Sequence, residues 1–165
     1  MLFRPGTKED LNDICCLVEK AIKLMERQGI HQWDELYPTY NDFLDDIENN
    51  TLYVAVEDDR IIAVYVISQE CADEYHKWEW ESPDESAIIV HRLCVSPDYQ
   101  NKGIGSRILA HIEEQVKGMG YFSIRLDVFS ENPYALKLYE KHSYVKRGHA
   151  DWRKGRFYLM EKTLN

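Results

Sequence analysis

Apolar residues recur along this chain with two periods, and the change from one period to the other marks out its elements. Leu11, Ile14, Cys15, Val18, Ile22 and Met25 return every three or four positions as far as Gly29, which places them on one face of a helix. Thr7-Lys8-Glu9-Asp10 just before them resembles a capping box. A connection holding Trp33, Tyr37 and Pro38 leads to a shorter helix over Asn41–Glu48. Leu52–Val56 and Ile61–Ile67 are β-branched runs separated by Glu57-Asp58-Asp59-Arg60, which predicts a hairpin. Ala87–Val95 reads as a strand buried on both faces. Ile104, Ile108, Ile112 and Val116 stripe a helix that ends at Gly118-Met119-Gly120, and Phe122, Ile124, Leu126 and Val128 alternate as a strand. Asn132 can cap a further helix with Pro133 in its first position. Tyr144 onward and Phe157–Met160 then supply two closing strands. The expected order is a ββ-like start, two helices, a hairpin, a strand-helix-strand unit, and a helix with two strands. Glu70–Ser86 stands out as a polar insertion between strands, and no repeat, low-complexity segment or long linker interrupts the pattern.

Composition narrows the function classes. At 165 residues and 44% hydrophobic, the chain is expected to form one domain, 1–165, with its own core. Twenty-nine acids against twenty Lys and Arg leave a net charge of -9, with no basic cluster, which argues against nucleic acid and anionic membrane partners. The start Met1-Leu2-Phe3-Arg4-Pro5 is not an apolar signal segment and no run is long enough to span a bilayer, so a cytoplasmic location is expected. Cys15, Cys16, Cys71 and Cys94 form no Cys-x-x-Cys pair, so buried thiols are expected and neither a disulfide framework nor a metal site.

The chemistry lies in His91-Arg92-Leu93-Cys94-Val95-Ser96-Pro97-Asp98-Tyr99-Gln100-Asn101-Lys102-Gly103-Ile104-Gly105-Ser106, a strand joined to a helix through a glycine turn. Gly103 and Gly105 let main-chain N–H groups converge, and the following helix adds the positive end of its dipole, so the turn suits a phosphate. A P-loop fails because Lys102 precedes the glycines. A dinucleotide fingerprint places an acid, Asp127, at a suitable distance but puts the large Ile108 where its third small residue belongs.

Gln100-x-x-Gly103-x-Gly105, after Leu93-Cys94-Val95-Ser96-Pro97, resembles the coenzyme A pyrophosphate loop of the GNAT superfamily of N-acetyltransferases. Asn132-Pro133-Tyr134-Ala135-Leu136-Lys137-Leu138-Tyr139-Glu140-Lys141 is similar to that family's Asn-x-x-Ala-x-x-Leu-Tyr helix. The match covers roughly residues 87–145. It departs at Ser143, where the family usually has glycine, and at Ile89, where some relatives carry a glutamate base. The resemblance implies an α/β (α+β) fold, a mixed and mostly antiparallel sheet of six to seven strands flanked by helices on both faces. The central parallel strands, here Ala87–Val95 and Tyr121–Val128, would splay apart around the pantetheine arm. It also implies acetyl-CoA as co-substrate, no metal, a small-molecule or peptide amine as acceptor, direct attack in a ternary complex, and room for a homodimer.

Carried over residue by residue, the resemblance gives the backbone of Gln100, Asn101, Lys102, Gly103, Ile104, Gly105 and Ser106 to the pyrophosphate. Leu93, Val95 and Asn132 go to the pantetheine arm, and Tyr139 to protonation of the departing sulfur. Without the motif Tyr139 reads as an aromatic core residue, Asn132 as a plain cap and Lys102 as a solvated lysine. The base is unassigned. Period-2 alternation puts Ile89, His91, Leu93 and Val95 on one face, so His91 either faces the acceptor or is a hydrogen-bonded structural histidine. Glu79 and Glu81 are rivals on the insertion. That segment holds seven carboxylates against Lys77, interleaved with Trp78 and Trp80. Together with Trp33 and Tyr37 these would suit a cationic amine through cation-π attraction, though the tryptophans could equally pin an edge strand or a dimer contact. A catalytically silent acyl-CoA-binding or regulatory domain and a dinucleotide-binding module are the other classes.

Overall fold

The computed structural model describes residues 1–165. In chain order it contains β1 (Leu2–Pro5), α1 (Leu11–Arg27), α2 (Tyr40–Glu48), β2 (Leu52–Glu57), β3 (Arg60–Ser68), β4 (Ala87–Val95), α3 (Ile104–Gly118), β5 (Ser123–Phe129), α4 (Pro133–Lys141), β6 (Val145–Trp152) and β7 (Gly155–Thr163). The seven strands follow the order β1-β2-β3-β4-β5-β7-β6. The β1–β2, β2–β3, β5–β7 and β6–β7 ladders are antiparallel, while β4 and β5 run parallel. This is the mixed, mostly antiparallel α/β sheet that the family resemblance implies. The chain forms two compact units, residues 1–67 with 92–105, and residues 68–91 with 106–165.

In the first unit the helical stripe does what its spacing dictates. Leu11, Ile14, Leu17, Val18 and Ala21 of α1 pack with Phe43 and Ile47 of α2, and with Leu52, Val54, Val64, Val66 and Cys94 from strands. Thr7 and Asp10 form the capping box ahead of α1, and Arg4 binds both carboxylate oxygens of Asp10 at 2.7 and 3.0 Å. A second box, Thr39 with Asp42, starts α2 at Tyr40, one residue before the apolar pattern becomes visible. The hairpin turns through Asp58 and Asp59, both left-handed at φ 49° and 61°. Short polar side chains tolerate that region, which is why the acidic tetrad is a turn.

In the second unit, Ile108, Leu109, Ile112 and Val116 of α3 are fully buried. On β5, Ile124, Leu126 and Val128 are buried on one face, while Ser123, Arg125 and Asp127 occupy the other. Phe122 lies outside the strand and is exposed, so the alternation read from it over-extends β5 by one residue; its N–H and carbonyl bond Ser86 and Leu164 instead. The insertion is a second small core: Tyr75, Trp78, Trp80 and Cys71 pack with Ile89, Ala150, Leu159 and Trp152. The parallel ladder joins Ala87, Ile88 and Ile89 to Ser123, Ile124 and Arg125, and within this unit it ends there, although β4 continues to His91 and β5 to Phe129.

Candidate functional site

The first unit holds the glycine turn. After β4, the Ser96 N–H donates to the Ile62 carbonyl at 2.7 Å and a single 3-10 turn over Pro97–Tyr99 leads into the loop. The Gln100 side chain donates to the Val95 carbonyl at 3.1 Å. Asn101 and Gly103 are both left-handed, at φ 63° and 73°. Left-handed residues two apart curl the main chain so that its N–H groups converge. A Cβ on Gly103 would meet nothing within 4 Å, so it is the left-handed backbone rather than crowding that calls for glycine there, and the loop is open on that side. Gly105 belongs to the first turn of α3 with no positive φ, so of the two glycines only Gly103 is required by the backbone. Lys102 directs its ammonium to the Asp98 carbonyl at 3.3 Å and stands 5.7 Å from the Tyr99 ring centre.

Leu93 and Val95 are half-buried near the end of β4. The alternation that would align them with Ile89 and His91 is interrupted at Arg92, whose φ of 49° is left-handed. A residue in that conformation cannot continue the pleat, so one face cannot be traced through it. Arg92 binds both oxygens of Asp46 at 2.8 and 2.6 Å and donates to the Tyr37 hydroxyl at 2.9 Å. Burial pushes the Asp46 carboxyl up against the pull of that guanidinium. Tyr37 is exposed and tethered, whereas Trp33 is buried in the α1–α2 core. Burial pushes the Cys94 thiol up to about 12, which leaves it inert as a nucleophile.

The second unit holds the titratable side chains. Tyr139, from α4, is 8% exposed and meets the Tyr144 ring edge-on at 5.6 Å. Burial first, and the Asp127 charge second, hold its phenol well above the ordinary range, so it is a protonated donor at neutral pH. The Asn132 side chain accepts from the Ala135 N–H at 3.1 Å and caps α4, with Pro133 following. His91 is half-buried, its Nε2 3.2 Å from the Ser68 hydroxyl. Ser106 lies 3.0 Å from His142 Nε2.

The insertion's aromatic faces are engaged internally. Trp78 donates to the His149 carbonyl at 3.0 Å, and its ring lies on Gly148, where a Cβ would come within 2.2 Å of it. Trp80 donates to the Tyr75 carbonyl at 2.8 Å, stacks on the Tyr75 ring, and carries the Arg125 guanidinium 4.5 Å from its centre. The cation on Trp80 is thus the protein's own, and Trp78 pins the insertion to β6. Three of its seven acids are tied down likewise. Glu81 bonds Arg147 at 2.8 Å, Asp84 bonds Arg125 at 2.7 Å, and Glu74 accepts from Trp152 at 2.9 Å; Glu79 is exposed. Beneath them Glu161, 1% exposed, accepts from the Glu81 N–H and the Ser82 N–H and hydroxyl. Burial would raise its carboxyl, but these donors and Arg125 hold it below the usual range.

Asp127 lies outside both family motifs and suits only the dinucleotide fingerprint that Ile108 breaks. It accepts from the Tyr75 hydroxyl at 2.7 Å, and its charge acts on Tyr139. The available signal was the alternation of β5: Ser123, Arg125 and Asp127 make one face of an interior strand polar, which an ordinary core strand avoids.

Known proteins share this sequence pattern and this fold. The profile of the acetyltransferase (GNAT) family matches residues 18–144. An S-(2-succino)cysteine N-acetyltransferase of Bacillus subtilis (strain 168) is 25% identical over 165 residues, covering 98% of this chain and 95% of that one. An uncharacterized N-acetyltransferase of the same strain, YesJ, is 26% identical over 163 residues, covering 97% and 88%. The crystal structure of a GNAT-family acetyltransferase from Streptococcus agalactiae 2603 superposes with a TM-score of 0.88 at 21% identity, over 99% of this chain and 95% of that one.

Proposed function

Because the chain belongs to the acetyltransferase (GNAT) family, we propose that it transfers an acetyl group from acetyl-CoA to the primary amine of a small molecule, by direct attack in a ternary complex. Members of the family are N-acetyltransferases that generally use acetyl-CoA, which supplies the acetyl group as a thioester. The main-chain N–H groups of Gln100–Ser106 would hold the diphosphate, with the left-handed Asn101 and Gly103 shaping the cradle. The main chains of Leu93 and Val95 and the Asn132 amide would hold the pantetheine arm, and the Val95 N–H would polarise the thioester carbonyl.

The observation that carries the reading is Tyr139, a phenol kept protonated by burial on the helix whose sequence matches the family motif. It donates its proton to sulfur as the carbon–sulfur bond breaks, so the thiol leaves neutral. An S-substituted cysteine relative aligned over nearly the whole chain supports a small amino-acid-like acceptor, bearing a primary amine. His91 and Tyr37 remain the acceptor-facing candidates that are not buried in a core.

The test is Tyr139→Phe assayed for thiol release against a panel of small amines. A kcat reduced about 10²–10⁴-fold with acetyl-CoA binding retained is the expected outcome. An unchanged kcat overturns the acid role, and a wild-type protein that binds acetyl-CoA yet releases no thiol with any amine overturns the reaction.

A further inference from the structure

We infer that Asp127 is the base that takes the acceptor amine's proton, and that Tyr75 is the positioning residue that holds its carboxylate for the task. The inference rests on the acetyl-transfer reading above and supplies the base that reading lacks.

Asp127 stands on the polar face of β5, two residues beyond Arg125, where the parallel ladder with β4 ends. On the other flank of β5 it pairs with apolar Leu159 of β7. The phenol of Tyr75, 2% exposed, reaches it across 52 residues of sequence. Tyr75 is itself held firmly: Trp80 stacks on its ring and bonds its carbonyl, Arg125 backs Trp80, and Trp78 fastens the same segment to Gly148 and His149. So many contacts aimed at one hydroxyl fix the rotamer of the carboxylate that receives it. The proton donor assigned to sulfur is close by, since the Asp127 charge raises Tyr139 and both raise Tyr75. The titratable groups that act with this carboxylate are Tyr75 of the insertion, which donates to it, and Tyr139 of α4; Cys71 acts on Tyr75 from the insertion. Arg125 shares its strand but turns to Asp84 and the Ser82 carbonyl.

The protons balance. The acceptor ammonium gives one proton to Asp127, freeing the lone pair; nitrogen–carbon bond formation and carbon–sulfur cleavage follow. Tyr139 protonates the thiolate. The second proton of the amine nitrogen restores Tyr139 through solvent, and Asp127 releases its own, so one proton leaves per turnover and both side chains end as they began.

Two variants test this. Asp127→Asn should lose about 10²–10⁴-fold in kcat/KM while still binding acetyl-CoA in a calorimetric titration. Tyr75→Phe should keep activity at alkaline pH and move the acidic limb of the kcat/KM profile upward, because the carboxylate has lost a donor to its charged form. A merely structural Tyr75 would lower the rate equally at every pH. Should Tyr75→Phe fail to fold, Trp80→Phe, which loosens Tyr75, should displace the same limb in the same direction. An active Asp127→Asn enzyme overturns the inference, as does an inactive one whose limb is unmoved in the folded Tyr75→Phe or, failing that, Trp80→Phe variant. Loss of activity in Tyr139→Phe beside an active Asp127→Asn leaves acetyl transfer standing and removes only this base; the converse result removes the acid.

Discussion

Ser143 holds a left-handed backbone at φ 71° at the end of α4, where the family usually places glycine. An L-residue pays roughly 1–2 kcal/mol for that conformation and glycine does not, so Ser143→Gly should stabilise the fold by about 0.5–1 kcal/mol in urea denaturation, after the loss of unfolded-state entropy. The departure from the motif is thus a strain tolerated at a helix terminus rather than a change of geometry. Tyr139 and Asn132 were legible in sequence because the motif fixes both identity and spacing. Asp127 and Tyr75 were not, because their contact joins segments that no local period connects. The burial of Trp33 was hidden for a related reason: an aromatic residue in a connection reads as a surface feature until the helices on either side bury it.

Among the elements, the insertion's hold on β6 depends on close approach. A methyl on Gly148 would overlap the Trp78 ring, so Gly148→Ala should cost about 1–3 kcal/mol and shift the tryptophan fluorescence of the folded protein. Gly103→Ala tests the opposite situation, with free space but a left-handed backbone. Its cost of about 1–2 kcal/mol falls on the loop, and coenzyme A affinity measured by calorimetry should weaken by about tenfold. Apolar periodicity located α1 and α3, a cap and a motif located α4, β-branched runs located the hairpin, and a cap explains a shifted boundary, as with Thr39 ahead of α2. The left-handed Arg92 lies beyond such reasoning: its conformation is anchored by Asp46, 46 residues away in sequence.

Across the whole molecule, the charge of -9 has a consequence for acid stability. Asp10 is lowered chiefly by its hydrogen bonds from Arg4, and Glu161 is lowered because its donors and Arg125 outweigh its burial. A carboxyl lowered on folding adds stability above its unfolded value and loses it as pH falls through the folded one. Asp46, raised by burial, works in the opposite sense. The melting temperature should therefore decline below the usual carboxylate range, and Glu161→Gln should flatten that decline. Sequence revealed how much acid the insertion carries but not that Arg125, Arg147 and Trp152 already answer it. Pairing partners that lie about 40 to 80 residues away in sequence leave no mark on local composition.

The two outer strands are built unalike but to one effect. β1 runs for four residues and stops at Pro5, which has no N–H to offer; β6 carries Lys146 and Arg147 and slips register between Lys146 and Gly148. Neither rim offers a long, regular template to a stray chain. Amyloid growth from the native state is thereby discouraged, and thioflavin-positive fibrils should form from concentrated protein only after it has been unfolded.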